Sequence, residues 1–167
     1  MKRSIAQTYT VQPTEPAGAL LYSAPIISLR IVRDGSARVP EQIKSPADIA
    51  GLLQERYADA DREIMAVVLL DIKNRVLGID PVVVGSLDSA VVTMREVFKS
   101  AVMVGAAAIV VAHNHPSGSA DPSPEDVRIT REIIAAGKLL EIEVLDHIIL
   151  AAGRYTSLRE RGAFGTK

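Results

Sequence analysis

Residues 106–126 read AAAIVVAHNHPSGSADPSPED, and this stretch decides the fold. Positions 106–112 are all apolar, the pattern of a strand covered on both faces rather than on one. The strand runs directly into His113-Asn114-His115, followed by the turn formers Pro116, Ser117 and Gly118. Ser123-Pro124-Glu125-Asp126 then has the marks of a helix start: a serine N-cap, proline at the first helical position and an acid at the third. That helix is predicted to run to about residue 140, with a further strand over 144–150 closed by Gly153. A buried strand thus delivers two histidines, and the chain returns through a helix N-terminus that carries an acid.

Working outward, residues 64–70 and 76–84 form two strands around the turn Asp71-Ile72-Lys73-Asn74, a predicted hairpin. Residues 87–104 place Val91, Met94, Val97, Phe98, Ala101 and Val102 at helical spacing, with Gly105 as the stop. The order β-β-α-β-α-β over residues 61–167 predicts an α/β fold, a layered α-β-α domain with a central mixed sheet. Ahead of it, residues 1–24 show no period and read as a flexible N-terminal arm. Residues 25–32 look like a short strand. Ser45-Pro46-Ala47-Asp48 opens a helix reaching Tyr57, and residues 25–60 are expected to pack beside the core.

A chain of 167 residues suits one domain, and 48% apolar with 23% charged residues suits a globular one. The net charge of -1 excludes the overall positive field of a generic nucleic-acid binder. The absence of cysteine excludes disulfides, thiol nucleophiles and zinc ribbons, so any metal must be held by His, Asp or Glu. No apolar run approaches the roughly 20 residues of a membrane span. The proline-bearing stretch 7–16 interrupts any signal peptide, so a cytoplasmic location is expected.

Two histidines spaced by two at the end of an extended segment point the same way and can share one metal. A catalytic zinc takes three protein ligands and keeps one position open, and a carboxylate is a common third ligand beside two histidines. Asp126 is placed to supply it. Each residue also has a plainer role: Asp126 as the capping acid of Ser123's helix, and the histidine pair as solvated loop residues. His147 lies in an apolar strand, where a satisfied core histidine or a support for a ligand is the expected role. Asn114 alternates away from the histidines and is expected to brace the loop.

The combination of His-x-His, seven residues, Ser, two residues, Asp matches the signature of the JAB/MPN metalloprotease superfamily, also called JAMM. Residues 63–159, including REVFKSAVMVGAAAIVVAHNHPSG, PSPEDVRIT and LDHIIL, resemble its RadC-like branch. The resemblance implies the MPN/JAB architecture, similar in layering to cytidine deaminases. It also implies zinc (Zn2+) held by His113, His115 and Asp126, with Ser123 donating to the oxyanion of a tetrahedral intermediate. Glu63, just before the first core strand, would be the general base. The implied activity is a zinc metalloprotease or isopeptidase acting on a protein or peptide substrate.

Two other functions compete. A DNA-associated accessory protein follows from the RadC-like branch's association with DNA repair, but the first 60 residues lack the paired helices and glycine hairpin it would use. A non-catalytic MPN-like scaffold would not need His113, His115, Ser123 and Asp126 together. A nucleobase deaminase of the common form needs cysteine ligands, and the letters His-Asn-His alone do not make an HNH nuclease. Short strand edges leave homo-oligomer formation open.

Overall fold

The computed structural model describes residues 28, 30, 31, 35, 39–57, 60–85 and 92–165. Helix α1 (Pro46–Tyr57) comes first, and the Asp48 carboxylate caps it by accepting from the Lys44 and Ser45 N–H groups at 2.8 and 2.9 Å. Strands β1 (Ile64–Leu70) and β2 (Val76–Val84) then pair antiparallel around a turn. There Asp71 accepts from the N–H groups of Lys73 and Arg75, and Asn74 takes φ 56°. Helix α2 (Met94–Val104) leads to β3 (Ala108–Asn114), α3 (Pro124–Leu140), β4 (Glu143–Ala151) and β5 (Arg154–Ser157).

The five strands form one mixed sheet in the order β2-β1-β3-β4-β5, with β3 and β4 the parallel pair. A parallel pair needs a crossover, and α3 provides it. Helix α1 covers one face of the sheet: Ile49, Leu53 and Tyr57 pack with Val68, Val110, Ala112 and Leu150. Val97 and Phe98 of α2 and Ile129 and Ile133 of α3 cover the other, against Val67, Ile109 and Val111. The architecture is therefore the expected α-β-α sandwich, with β3 buried at every position. No helix among the described residues is long and apolar enough to cross a membrane.

Some expectations are corrected by the structure, and others fall outside the described residues. The helix expected over 87–104 begins only at Met94, because Thr93 caps it from an extended conformation; residues 87–91 lie outside the described residues. Of the strand expected over 25–32, the described residues Ser28, Arg30 and Ile31 are not in a strand, and the others lie outside the described set. The expected arm, residues 1–24, lies wholly outside it. Strand β5 was not anticipated. It returns on β4 through Ala152 and Gly153, both at positive φ (37° and 77°), a tight hairpin turn in which alanine replaces the usual asparagine or glycine.

One irregularity positions the site. The β3–β4 register shifts between Ile109 and Val110, whose partners are Val144 and Asp146. Leu145 is thus the extra residue of a bulge, and a bulge reverses which side chains face which layer. Val144 faces α2 and α3; beyond the bulge His147, opposite Val111, faces them too.

Candidate metal centre

His113 leaves the α2–α3 face of β3 almost completely buried, at 1% exposure. His115 sits one residue past the strand, held by its N–H donating to the Leu150 carbonyl at 2.8 Å. The period of two puts both imidazoles on one side, with ring centroids 4.8 Å apart. Gly118, at φ 78°, donates its N–H to the His115 carbonyl and turns the chain back toward α3. There Ser123 and Asp126 form a full capping box. The Ser123 N–H and hydroxyl both donate to Asp126 Oδ2 at 2.7 Å, and the Asp126 N–H donates back to Ser123 Oγ at 3.1 Å.

Capping and metal binding are therefore not rival roles for Asp126. Its carboxylate completes the cap while Oδ1 stands 3.1 Å from His113 Nε2 and Oδ2 stands 3.5 Å from His115 Nε2. The two Nε2 atoms are 2.9 Å apart. A tetrahedral zinc with bonds of about 2.0–2.1 Å spaces its ligand atoms roughly 3.3 Å apart, the middle of this range. Two imidazoles and one carboxylate without thiolate are a donor set that suits a catalytic divalent metal. Among the described residues these three form the cluster able to hold such an ion.

The electrostatics agree. Burial pushes the Asp126 carboxyl up, but hydrogen bonds from His113, His115 and Ser123, with the attraction of His113, overcome it and hold the group far below the usual carboxylate range. It is ionised, the form that binds a cation. The His115 imidazole is pushed above 6.5, foremost by its hydrogen bond to Asp126, against the effect of burial, with smaller help from the Ser119 carbonyl and the charges of Asp126 and Glu63. His147 is held well below 6.5 by burial and by repulsion from His113.

Glu63 is half-buried directly before β1, near enough for its charge to act on His115. Its backbone carbonyl accepts from the Gly85 N–H at 2.9 Å, which ties it to the end of the β1–β2 hairpin. Contrary to the expectation from sequence, the Asn114 carboxamide does not brace its own loop. Its Oδ1 accepts from the Ile64 N–H at 2.7 Å, and its Nδ2 donates to the Arg62 carbonyl at 3.0 Å, so one carboxamide clamps the backbone on both sides of Glu63. That partnership spans 50 residues, and no local pattern announces it.

Behind the histidines lies a further set of polar groups. His113 Nδ1 is 2.8 Å from His147 Nε2, and His147 Nδ1 is 2.6 Å from Thr130 Oγ1. Thr130 Oγ1 in turn donates to the Asp126 carbonyl at 2.5 Å. His147 thus stays outside the ligand set, as its place in an apolar strand suggested. Thr130 was not singled out; its only sequence signal is a position one helical turn after Asp126.

The layered fold and this donor set define a class: an α/β protein with a two-histidine, one-carboxylate centre at the carboxyl end of a parallel strand. A family model described as "RadC-like JAB domain" matches residues 43–163, and the chain belongs to that family. A UPF0758 protein of Chloroflexus aggregans is 56% identical over 120 residues, which is 72% of this chain and 52% of the relative. A UPF0758 protein of Roseiflexus castenholzii is 50% identical over 121 residues, covering 72% and 52%. One from Moorella thermoacetica is 54% identical over 119 residues, covering 71% and 52%. The chain spans about half the length of the curated relatives it matches.

Proposed function

We propose that this chain is a zinc-dependent hydrolase that cleaves an amide bond, of the metallopeptidase or isopeptidase type, in a protein or peptide substrate. The supporting observation is the convergence of His113 Nε2, His115 Nε2 and the ionised Asp126 carboxylate at 2.9–3.5 Å, with the acid Glu63 acting on the same site. When bound, zinc supplies Lewis acidity, polarising a carbonyl and letting water give up a proton near neutral pH.

The chain's own residues supply the rest. Glu63 accepts that proton and returns it to the leaving amine, and the Asn114 clamp fixes the backbone from which it reaches. His115, partly open to solvent, marks the side from which substrate approaches. Ser123 donates to the developing oxyanion once substrate is present; for this its hydroxyl leaves Asp126 Oδ2, whose bond from the Ser123 N–H remains.

The test is Glu63→Gln, assayed on a panel of peptide and isopeptide substrates with metal content measured alongside. The expected result is one zinc per chain, as in the wild type, with turnover reduced about 100-fold or more, the usual range for a lost general base. Full turnover in the variant would remove Glu63 from the chemistry, and no turnover by the wild type on any amide would overturn the hydrolase reading.

A further inference from the structure

The partners of Thr130 dictate where every proton behind the metal centre sits. Thr130 Oγ1 has one hydrogen and two neighbours, the Asp126 carbonyl at 2.5 Å and His147 Nδ1 at 2.6 Å. A backbone carbonyl can only accept, so the hydroxyl proton goes to Asp126 and His147 Nδ1 must donate to Oγ1. His147 is 1% exposed, and its two ring nitrogens face a hydroxyl and an imidazole rather than an anion, so the ring is neutral and its Nε2 is an acceptor. His113 Nδ1, 2.8 Å from that Nε2, must therefore donate.

We propose that Thr130 and His147 are positioning residues that hold the proton of His113 on Nδ1 and fix the orientation of its ring, so that Nε2 is the nitrogen left to face the metal. The chain runs one way, from His113 Nδ1–H through His147 and Thr130 to the Asp126 carbonyl, so it begins on one ligand and ends on the backbone of another. His115 reaches the same state by a shorter route, since its Nδ1 lies 2.8 Å from the Ser119 carbonyl. Histidine ligands are generally oriented by a hydrogen bond from the second ring nitrogen, most often to a carboxylate or a backbone carbonyl. His113 has neither; it reaches a carbonyl through two intermediate side chains. The bulge at Leu145 makes this feasible, because without it His147 would face α1.

The inference rests on the metal-centre reading but not on the reaction. Its test compares Thr130→Val, which removes the hydroxyl at nearly constant shape, with Thr130→Ser, which restores it, and with His147→Leu. Zinc affinity is measured by competition with a chelator, and the histidine nitrogens of the metal-free protein are assigned by NMR at a pH above the His115 titration. In the metal-free wild type His113 Nδ1 is expected to carry a proton, whether or not Nε2 also donates to Asp126. Thr130→Val should show mixed His113 tautomers and a zinc affinity about 10-fold weaker or more, with His147→Leu nearer 100-fold, the range for lost support of a ligand. Thr130→Ser should stay within about twofold of wild type, since the chain is intact.

A His113 Nδ1 without a proton in the wild type, or wild-type zinc affinity in both Thr130→Val and His147→Leu, overturns the proposal. Should the wild type take up no zinc, the metal-centre reading falls, while the nitrogen spectrum still decides whether the proton chain exists. Far-UV circular dichroism and a denaturation midpoint on each variant separate loss of support from loss of fold.

Discussion

The two faces of β3 are built from neighbouring residues yet obey different rules. Toward α1, Ala108, Val110 and Ala112 meet Ile49, Leu53 and Leu150, and the side chains that β3 itself presents there are apolar until Asn114 at the strand's end. Toward α3, Ile109 and Val111 give way to His113, and the helix answers with Asp126 and Thr130 rather than more apolar surface. Among the described residues no buried side-chain nitrogen or oxygen lacks a hydrogen-bond partner. An apolar face asks for volume and tolerates rearrangement at a graded cost, whereas a polar face asks for direction and fails when one donor is lost. Stability and metal binding should therefore separate by face.

The largest separation is expected between Asp126→Ala and Leu53→Ala. The first removes a proposed ligand and the third-position acid of the α3 capping box, and should abolish zinc retention while costing about 1 kcal/mol in stability. Leu53 is 0% exposed on the α1 face, and its truncation should cost about 2–5 kcal/mol with one zinc retained per folded chain. Elemental mass spectrometry and denaturant unfolding read both. Zinc retained by Asp126→Ala, or lost by folded Leu53→Ala, would break the division.

Helix glycines give a smaller contrast. A Cβ at Gly137 of α3 would stand 2.6 Å from the Ile142 carbonyl and 2.7 Å from Val144 Cγ2, so Gly137→Ala should destabilise by about 1–3 kcal/mol. At Gly51 of α1 nothing lies within 4 Å, and Gly51→Ala should stabilise by about 0.5–1 kcal/mol through helix propensity. Thermal unfolding measures both. Equal effects would mean that α3 is no more tightly seated than α1.

The mildest effect is that of pH. Because Asp126 raises the His115 pKa above 6.5, zinc must displace a proton from His115 below that raised value, and affinity should fall by up to about tenfold per pH unit. Above it the dependence on His115 disappears, and Asp126, already ionised, adds none in this range. Calorimetry in buffers of different ionisation enthalpy counts the released proton. Removing the Asp126 carboxylate should lower the His115 pKa, and unchanged titration in Asp126→Asn would contradict its cause.

What could be read in the sequence was local. His113, His115, Ser123 and Asp126 lie within 14 residues, where strand period and helix capping alone bring them together. The β1–β2 hairpin and the start of α3 are likewise set by neighbours along the chain. What escaped was set by partners far away or by departures from regular geometry. Asn114 finds Arg62 and Ile64 across the sheet, and Thr130 acquires its role only when β4 lies under α3. Strand β5 depends on a turn that places Ala152 at positive φ, against alanine's own preference.

The bulge at Leu145 gives β4 something like a reading frame. Residues before it and after it are read in opposite phase by the layers above and below the sheet. Pairing the same residues without the bulge would alter no ligand and no partner in the proton chain, yet it would set His147 opposite Ala112, toward α1, and bring Ile148 opposite His113. The residue that β4 holds out of register is thus as much a part of the centre as the identity of its side chains.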